Sequence, residues 1–213
     1  MHEGFILKSE RFKHYIEEFN EQDEELYAHI PNSKAWGFLQ RNIPLFEIDD
    51  PDMETTWYFR WWSYRKHVKK TPEGYVITEF LPSVPWAGKY NTISCPAAHH
   101  IYEGRWLLDQ QYMDDYERFW LKKGGEPRRY SFWIADAFYN RYLVNKDDQL
   151  LIDLLPDLID NYKAWEKGWR WGKNPLLKIG KHRGGLFLQI DDRDGGEVSI
   201  GGHGYRPTIN SYM

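Results

Sequence analysis

The chain has 213 residues and a formal net charge of -4, from 28 Lys and Arg against 32 Asp and Glu. This length predicts one domain over residues 1–213, and the lack of a positive excess argues against nucleic acid and membranes as partners. Cys95 is the single cysteine, which excludes an intrachain disulfide and a cysteine-based zinc site. No apolar run suits a secretion signal or a membrane span, so we predict a cytoplasmic protein. Neither GxGxxG nor GxxxxGK(S/T) occurs, and we predict no cofactor.

The aromatic content is high for such a hydrophilic chain. Phe, Trp and Tyr make up 17% of the residues, with 11 Trp and 15 Tyr, although the mean hydropathy is -0.75. Trp and Tyr combine a flat apolar face with a polar tip, so this surplus indicates a wet, aromatic-lined cavity in addition to a core. The alternative is that most of these rings simply pack in the interior.

The first third of the chain has helical patterns. Residues 8–30 carry apolar side chains three and four positions apart, which predicts two helices or one broken helix. Asn32 and Ser33 are suited to cap a short helix that follows. Residues 53–70 have aromatic side chains on every side, which predicts a buried helix that lines a cavity and ends in a basic cluster before Thr71.

The remaining chain alternates between loops and helices. Residues 75–82 have β-like propensity, and several prolines then break the chain. Helical patterns follow after Pro96, from Gln111, from Ser131 and after Asp147. The sequence therefore predicts a mainly α fold of helical hairpins, joined by structured loops that contain short strands.

An acidic, glycine-rich stretch near the end is the strongest chemical signal. Asp191, Asp192, Asp194 and Glu197 lie within seven residues and have glycines beside them. Cleavage of a glycosidic bond needs one carboxylic acid as proton donor and a second carboxylate on the opposite face of the sugar. Crowding of carboxyl groups raises the pKa of the least solvated one. We interpret this acid turn as part of a carbohydrate-cleaving enzyme. A calcium loop and a solvated acidic turn are the alternatives.

The segment 99–106 is a second candidate for binding. On a helix, His99 and Glu103 share one face, and His100 and Arg105 are close by. A zinc site of the HExxH type is absent, and we predict no metal. Hydrogen bonding to a polar ligand or to a neighbouring loop is the preferred interpretation.

A third candidate is the aromatic run 58–62, together with Glu79 and Trp86. An Arg60 side chain between Tyr58, Trp61 and Trp62 would suit a sugar ring, which it could both stack on and hydrogen-bond. An Arg60 that pairs with Glu79 for structural reasons explains the pattern equally well.

Five segments, taken together, resemble the six-hairpin glycosidases, in particular the group that contains mannosylglycerate hydrolase and, more distantly, mannosyl-oligosaccharide glucosidase and trehalase. They are YFRWWSYRKH (58–67), EFLPSVPWAGKYNTISC (79–95), HHIYEGRWL (99–107), RRYSFWIADAFYNRYLV (128–144) and residues 191–213. The resemblance implies an (α/α)6 toroid and inverting hydrolysis by a general acid and a general base.

The resemblance also implies roles for individual residues. In relatives the acid lies in a segment like E-S-G-M-D-N-S. When this segment is set over residues 193–199, Glu197 becomes the proton donor and Asp194 its rival. By the same resemblance the run 58–62 and Trp86 line the sugar subsite, and Arg206 contacts a charged aglycone such as glycerate.

The resemblance further places the base in the second half of the toroid. A toroid of this kind has twelve helices, whereas seven or eight are predicted here. We therefore expect an incomplete toroid, its N-terminal half, that works with a C-terminal half or by self-association.

The predicted function is an inverting glycoside hydrolase that acts on an α-glucosyl or α-mannosyl glycoside. The predicted catalytic residues are Glu197 and Asp194. The predicted substrate-binding residues are Tyr58, Arg60, Trp61, Trp62, Glu79, Trp86, His99, His100, Glu103, Arg105, Asp192 and Arg206. A catalytically silent sugar-binding protein and a purely structural helical module remain the alternatives.

Overall fold

The fold was obtained as a computed structural model, which describes residues 6–170, 172, 177–191, 193–194 and 202–213. Within these residues the chain forms eight α-helices and two small antiparallel sheets, so the prediction of a mainly α fold is confirmed. The helices are α1 (Lys13–Glu21), α2 (Ala35–Asn42), α3 (Pro51–His67), α4 (Ala97–Gly104), α5 (Gln111–Lys122), α6 (Ile134–Asn145), α7 (Asp148–Lys167) and α8 (Pro207–Tyr212).

The strands are short and pair with near neighbours in sequence. They are β1 (Val68–Thr71), β2 (Gly74–Ile77), β3 (Trp169–Arg170), β4 (Lys178–Lys181) and β5 (Phe187–Leu188). The β1–β2 hairpin pairs Val68 with Ile77 and Thr71 with Gly74, and the second sheet has the order β3-β4-β5. Gly74 adopts a φ of 117°, which a residue with a side chain rarely does.

Helix α3 lies at the centre of the main core. Asp50 begins this helix by accepting hydrogen bonds from the backbone N–H groups of Asp52 and Met53, and Pro51 occupies the first turn, where its missing N–H has no cost. Helices α1 and α2 pack against α3, while α5 packs against β2 and α7, and α4 against α6. Each large core side chain contributes about 1.5–3 kcal/mol by its burial.

A smaller core holds the C-terminal segments together. Trp165 of α7 packs with side chains from the second sheet and from α8; the others in this cluster are Ile179, Phe187, Ile190 and Ile209. This core anchors the segment that enters the acid turn. None of the helices in the described part of the chain combines the length and the apolar composition that a bilayer span needs.

Two sequence predictions about local structure were wrong. The helix predicted over residues 53–70 ends at His67, because Val68 enters strand β1 and pairs with Ile77. The helical pattern predicted over residues 8–30 gives a 3-10 turn and α1, which end at Glu21. Beyond that point the chain is held by other contacts, such as the hydrogen bond from Ala28 N–H to the Lys66 carbonyl at 2.8 Å.

Candidate functional site

A cleft of about 380 Å³ lies between α3, α4 and the residues that follow β2. Its volume falls in the range of ligand-binding pockets, roughly 300–1,000 Å³. We call it the first cleft, and it is lined by Phe59, Arg60, Ser63, Tyr64, His67, Ile77, Thr78, Glu79, His99, His100 and Glu103. An adjoining cavity of about 590 Å³ shares four of these residues, Phe59, Ser63, His67 and Glu79. The two spaces therefore adjoin along these four side chains, and together we call them the groove.

The cleft face of α3 is set by helical spacing. Phe59, Ser63 and His67 are four residues apart and thus lie on one side of the helix. Tyr58 and Trp61 lie on the other side with no exposed surface, and the Tyr58 hydroxyl donates to the Phe46 carbonyl at 2.9 Å. Tyr58 and Trp61 therefore belong to the core and cannot contact a sugar, contrary to the sequence prediction.

Arg60 and Glu103 form an ion pair across the mouth of the first cleft. Arg60 Nη2 lies 2.5 Å from Glu103 Oε2, and the Arg60 side chain is 61% exposed. The sequence offered Glu79 as the structural partner of Arg60, but the structure pairs Arg60 with Glu103 instead. Their proximity arises because α3 and α4 flank the same space. The exposed pair presents both a charged donor and a charged acceptor to a ligand.

Two histidines line the inner part of the first cleft. His100 Nε2 lies 3.5 Å from Glu79 Oε2, and its Nδ1 lies 3.1 Å from the Tyr116 hydroxyl. His67 Nδ1 lies 2.9 Å from the Thr78 carbonyl oxygen, and burial lowers the pKa of His67. The His67 imidazole is therefore neutral at neutral pH and donates to that carbonyl. These contacts fix the directions in which Glu79 and His100 present their polar atoms.

Other predicted binding residues lie at the borders of the groove. Trp62 lines the adjoining cavity and donates from Nε1 to Asn20 Oδ1 at 2.8 Å. Trp86 is 50% exposed and packs edge-on against Phe80, with ring centroids 4.7 Å apart. Arg105 is not brought to the first cleft: its guanidinium lies 4.8 Å from the centroid of the Tyr102 ring.

The acid turn is fastened at its two ends. Gln189 and Gly204 exchange two backbone hydrogen bonds, at 3.0 and 3.1 Å. Arg206 Nη2 lies 3.0 Å from Asp191 Oδ1, and the Asp191 N–H donates to His203 Nδ1 at 2.9 Å. Arg206, predicted to contact an aglycone, thus holds the acid turn through Asp191 in this structure.

Asp194 points towards the start of α6. The Ser131 hydroxyl donates to Asp194 Oδ1 at 2.5 Å. Burial, followed by the negative charge of Asp194, raises the pKa of Tyr212, so these two side chains interact. Tyr212 packs against Trp133 at 4.9 Å between ring centroids. Asp194 is therefore fixed beside a pair of aromatic rings.

The Trp133 ring also contacts a residue of the first cleft. His99 lines the cleft and meets the Trp133 ring edge-on, with ring centroids 4.7 Å apart. The Trp133 ring thus contacts both His99 and Tyr212, and Tyr212 interacts electrostatically with Asp194. The predicted acid turn and the predicted binding helix consequently belong to one region of the molecule.

Two of the predicted acids, Asp192 and Glu197, lie outside the described residues. The described part of the chain contains no group of three or more His, Cys, Asp or Glu side chains arranged to hold a metal ion. Asp191 and Asp194 are among these described residues. The calcium alternative for the complete turn stays an untested prediction.

Sequence reasoning missed several residues of this region. Ser63 and His67 line the groove together with Phe59 of the predicted run 58–62, and their four-residue spacing from Phe59 within a helical pattern was the signal available for them. Ser131 and Trp133 gave no signal, since their contacts with Asp194 and His99 join parts of the chain that are distant in sequence.

Known structures provide one detailed comparison. A chain named "Sialidase" matches with a TM-score of 0.86 and 42% sequence identity, over 97% of this chain. The match covers 19% of that chain, so the present chain spans about a fifth of its length. No curated protein sequence matches the chain.

A model of a known protein family matches the C-terminal part of the sequence. The model describes the mannosylglycerate hydrolase MGH1-like glycoside hydrolase domain and matches residues 89–213, more than half of the chain. The matched range includes α4, the Trp133–Tyr212 contact and the acid turn. This agrees with the resemblance noted from the sequence segments. The chain belongs to the family of mannosylglycerate hydrolase MGH1-like glycoside hydrolase domains.

Proposed function

We propose that the chain provides the sugar-binding cleft and the general acid of an inverting glycoside hydrolase, with an α-glucosyl or α-mannosyl glycoside as substrate. The observation that carries this proposal is the first cleft, where the Arg60–Glu103 and His100–Glu79 pairs and the Phe59 ring share about 380 Å³. Polar side chains fixed around an aromatic ring suit the hydroxyl groups and the apolar face of a sugar.

In the proposed mechanism, the groups of the first cleft bind and orient the sugar. Glu79 and Glu103 accept hydrogen bonds from sugar hydroxyls, while Arg60 and His100 donate to sugar oxygens. Each carboxylate is already positioned by a partner, Glu103 by Arg60 and Glu79 by His100, which suits a role in binding. Proton transfer to the departing oxygen is assigned to the acid turn, to Glu197 or to its rival Asp194.

The inverting mechanism needs a base on the opposite face of the sugar. The resemblance assigns this base to the second half of the toroid, and the chain spans about a fifth of the similar sialidase-named chain. We therefore include in the proposal that the base comes from a further segment or from a second chain. A product of inverted anomeric configuration, observed by NMR during turnover, tests this step.

Substitution of Glu103 by Gln is expected to weaken the binding of a neutral sugar. The amide cannot keep the ion pair with Arg60, and a hydrogen bond to a charged group contributes about 1.5–3 kcal/mol. The affinity for methyl α-mannoside or methyl α-glucoside, measured by titration calorimetry, should fall about 10- to 100-fold.

Glu17→Gln is the matched control, since Glu17 is exposed on α1 and pairs with Lys13 at 2.9 Å. This variant should bind the sugar like the wild type. Equal affinities for the wild type and the Glu103 variant would remove the first cleft from sugar binding.

A further inference from the structure

A second cleft, of about 660 Å³, lies between the loop that joins α5 to α6 and the second sheet. The loop contributes Glu126, Arg128 and Arg129, while Trp169 and Arg193 lie on the other side. None of the described residues that line the first cleft also lines this one. The second cleft is thus a separate space, and Arg193 connects it to the acid turn through the neighbouring Asp194.

Arg129, one of the arginines in the second cleft, has a carboxylate partner. Arg129 Nη1 lies 3.0 Å from Glu126 Oε2, and Arg129 Nη2 donates to the Trp86 carbonyl at 2.9 Å. Arg129 is therefore held by a carboxylate and by a backbone carbonyl, and its charge is balanced by Glu126.

Arg128 is in a different situation. Its Nη1 donates to Asn161 Oδ1 at 2.9 Å, and Asn161 is a neutral residue of α7 with only 6% exposure. Burial lowers the pKa of Arg128, which reflects the loss of solvent around the guanidinium. The Arg128 side chain is half-buried and lines the cleft. A guanidinium has five N–H donors. Among the described residues its hydrogen-bond partner is the Asn161 amide oxygen, so an anionic ligand in the cleft can accept from the donors that remain.

The remaining walls of the second cleft are apolar. Ile179, Ile190 and Pro127 line it, together with the indole of Trp169. Trp169 packs against the buried Trp165 with ring centroids 5.0 Å apart, which fixes the orientation of its ring. An indole and a guanidinium that line the same cleft suit a ligand that has both an apolar ring face and an anionic group.

We propose that the second cleft binds an acidic sugar residue, one that carries a carboxylate or a sulfate group, with Arg128 as the partner of that charge. The planar guanidinium presents several donors to a carboxylate or sulfate at once. This inference rests on the proposed function, because it takes the ligand to be a carbohydrate. It adds that the glycan recognised by the protein contains an acidic residue.

The test compares three sugars of similar size by calorimetric titration: glucuronate, glucose 6-sulfate and glucose. The wild type should bind at least one of the acidic sugars more tightly than glucose. Binding of glucuronate alone supports a uronic acid, and binding of the sulfated sugar alone supports a sulfate ester. Equal affinity for acidic and neutral sugars would overturn the inference.

Two variants connect this preference to Arg128. Arg128→Ala removes the charge, and Asn161→Asp places a carboxylate against the guanidinium while keeping the shape of the side chain. Each should weaken acidic-sugar binding about 10- to 100-fold, as expected for a lost charge-assisted hydrogen bond. Asn161→Asp retains the Arg128 side chain, so it gives a result even where Arg128→Ala does not fold. Wild-type affinity in a folded Asn161→Asp protein would contradict the proposal.

The controls separate this inference from the proposed function. Arg41→Ala removes an exposed arginine from α2 and should leave acidic-sugar binding unchanged. Methyl α-mannoside or methyl α-glucoside, titrated on the same preparations, reports on the first cleft. Neutral-sugar binding without any preference for acidic sugars would defeat only the inference about the second cleft. Absence of both kinds of binding would defeat the proposed function as well.

Discussion

Substitution of Glu197 by Gln should lower the rate of glycoside hydrolysis by about 10²- to 10⁴-fold, the usual contribution of a general acid. Glutamine keeps the size of the side chain but has no proton to give to the departing oxygen. Sugar affinity should be nearly unchanged, because binding is assigned to Arg60, Glu79 and Glu103. The measurement is kcat in the form of the enzyme that turns over an α-mannoside or an α-glucoside.

Substrates with different leaving groups identify the residue that acts as the general acid. A nitrophenolate departs without much protonation, whereas an alkoxide needs a proton donor, so the Glu197 variant should lose far more activity on an alkyl glycoside. Asp194→Asn is the matched comparison, since Asp194 is held by Ser131 at 2.5 Å in the same turn. A larger leaving-group effect for Asp194→Asn would assign the acid to Asp194. Unchanged turnover on the alkyl glycoside after Glu197→Gln would exclude Glu197 from the mechanism.

The largest effect on stability is expected at Arg141. This residue of α6 is buried, and it joins two acids of α5: Nη1 lies 3.0 Å from Glu117 Oε2, and Nη2 contacts Asp114. Arg141→Met keeps the apolar bulk but leaves the buried Glu117 without its cation. Loss of one partner of a buried pair costs about 3–5 kcal/mol of unfolding free energy. Urea denaturation at pH 8, where Glu117 is ionised in the wild type, measures this loss.

Lys122→Met is the matched control for Arg141. It breaks the Lys122–Asp157 pair of 2.6 Å, whose side chains are partly exposed, so its cost should stay below about 1 kcal/mol. Combining Arg141→Met with Glu117→Gln should restore part of the lost stability, since no buried charge then remains. A loss in Arg141→Met no larger than in the control would contradict the role of this network.

The Glu117 carboxyl also makes stability depend on pH. Burial raises the pKa of Glu117 from 4.5 to about 7, although Arg141 opposes this shift. Between these two values the folded protein binds a proton that the unfolded chain releases, so this group favours folding at low pH. Its contribution is fully present below pH 4.5 and is lost as the pH rises through about 7. Glu117→Gln should remove this part of the pH dependence.

The helices of the second half were the most predictable part of the fold. In α5 and α7 the apolar residues recur with helical spacing, and loops rich in glycine, proline or aspartate separate the segments. Local sequence therefore determines these elements. Strand β1 was missed because Val68–Thr71 continues the pattern of α3, and its strand conformation depends on pairing with β2. The signal that could have separated them is the Pro72-Glu73-Gly74 turn, where Gly74 takes a positive φ.

The sequence indicated which segments of the chain form the candidate site. It did not indicate which of their side chains face the groove. Aromatic side chains on every side of α3 gave no indication of which face would be buried. Only the packing of α1 and α2 against α3 decides that Tyr58 and Trp61 are core while Phe59 lines the groove. The Arg60–Glu103 pair likewise depends on the approach of α4 to α3, which no local pattern determines.

A crystal structure of the chain with bound methyl α-mannoside or methyl α-glucoside tests the central claim most directly. The sugar ring is expected in the first cleft, in contact with Glu79 and Glu103. A carboxyl group of the acid turn is expected within about 3 Å of the glycosidic oxygen, the distance that proton transfer requires. A sugar bound in this cleft with both the Asp194 and the Glu197 carboxyl groups directed into bulk water would rule out the proposed active site.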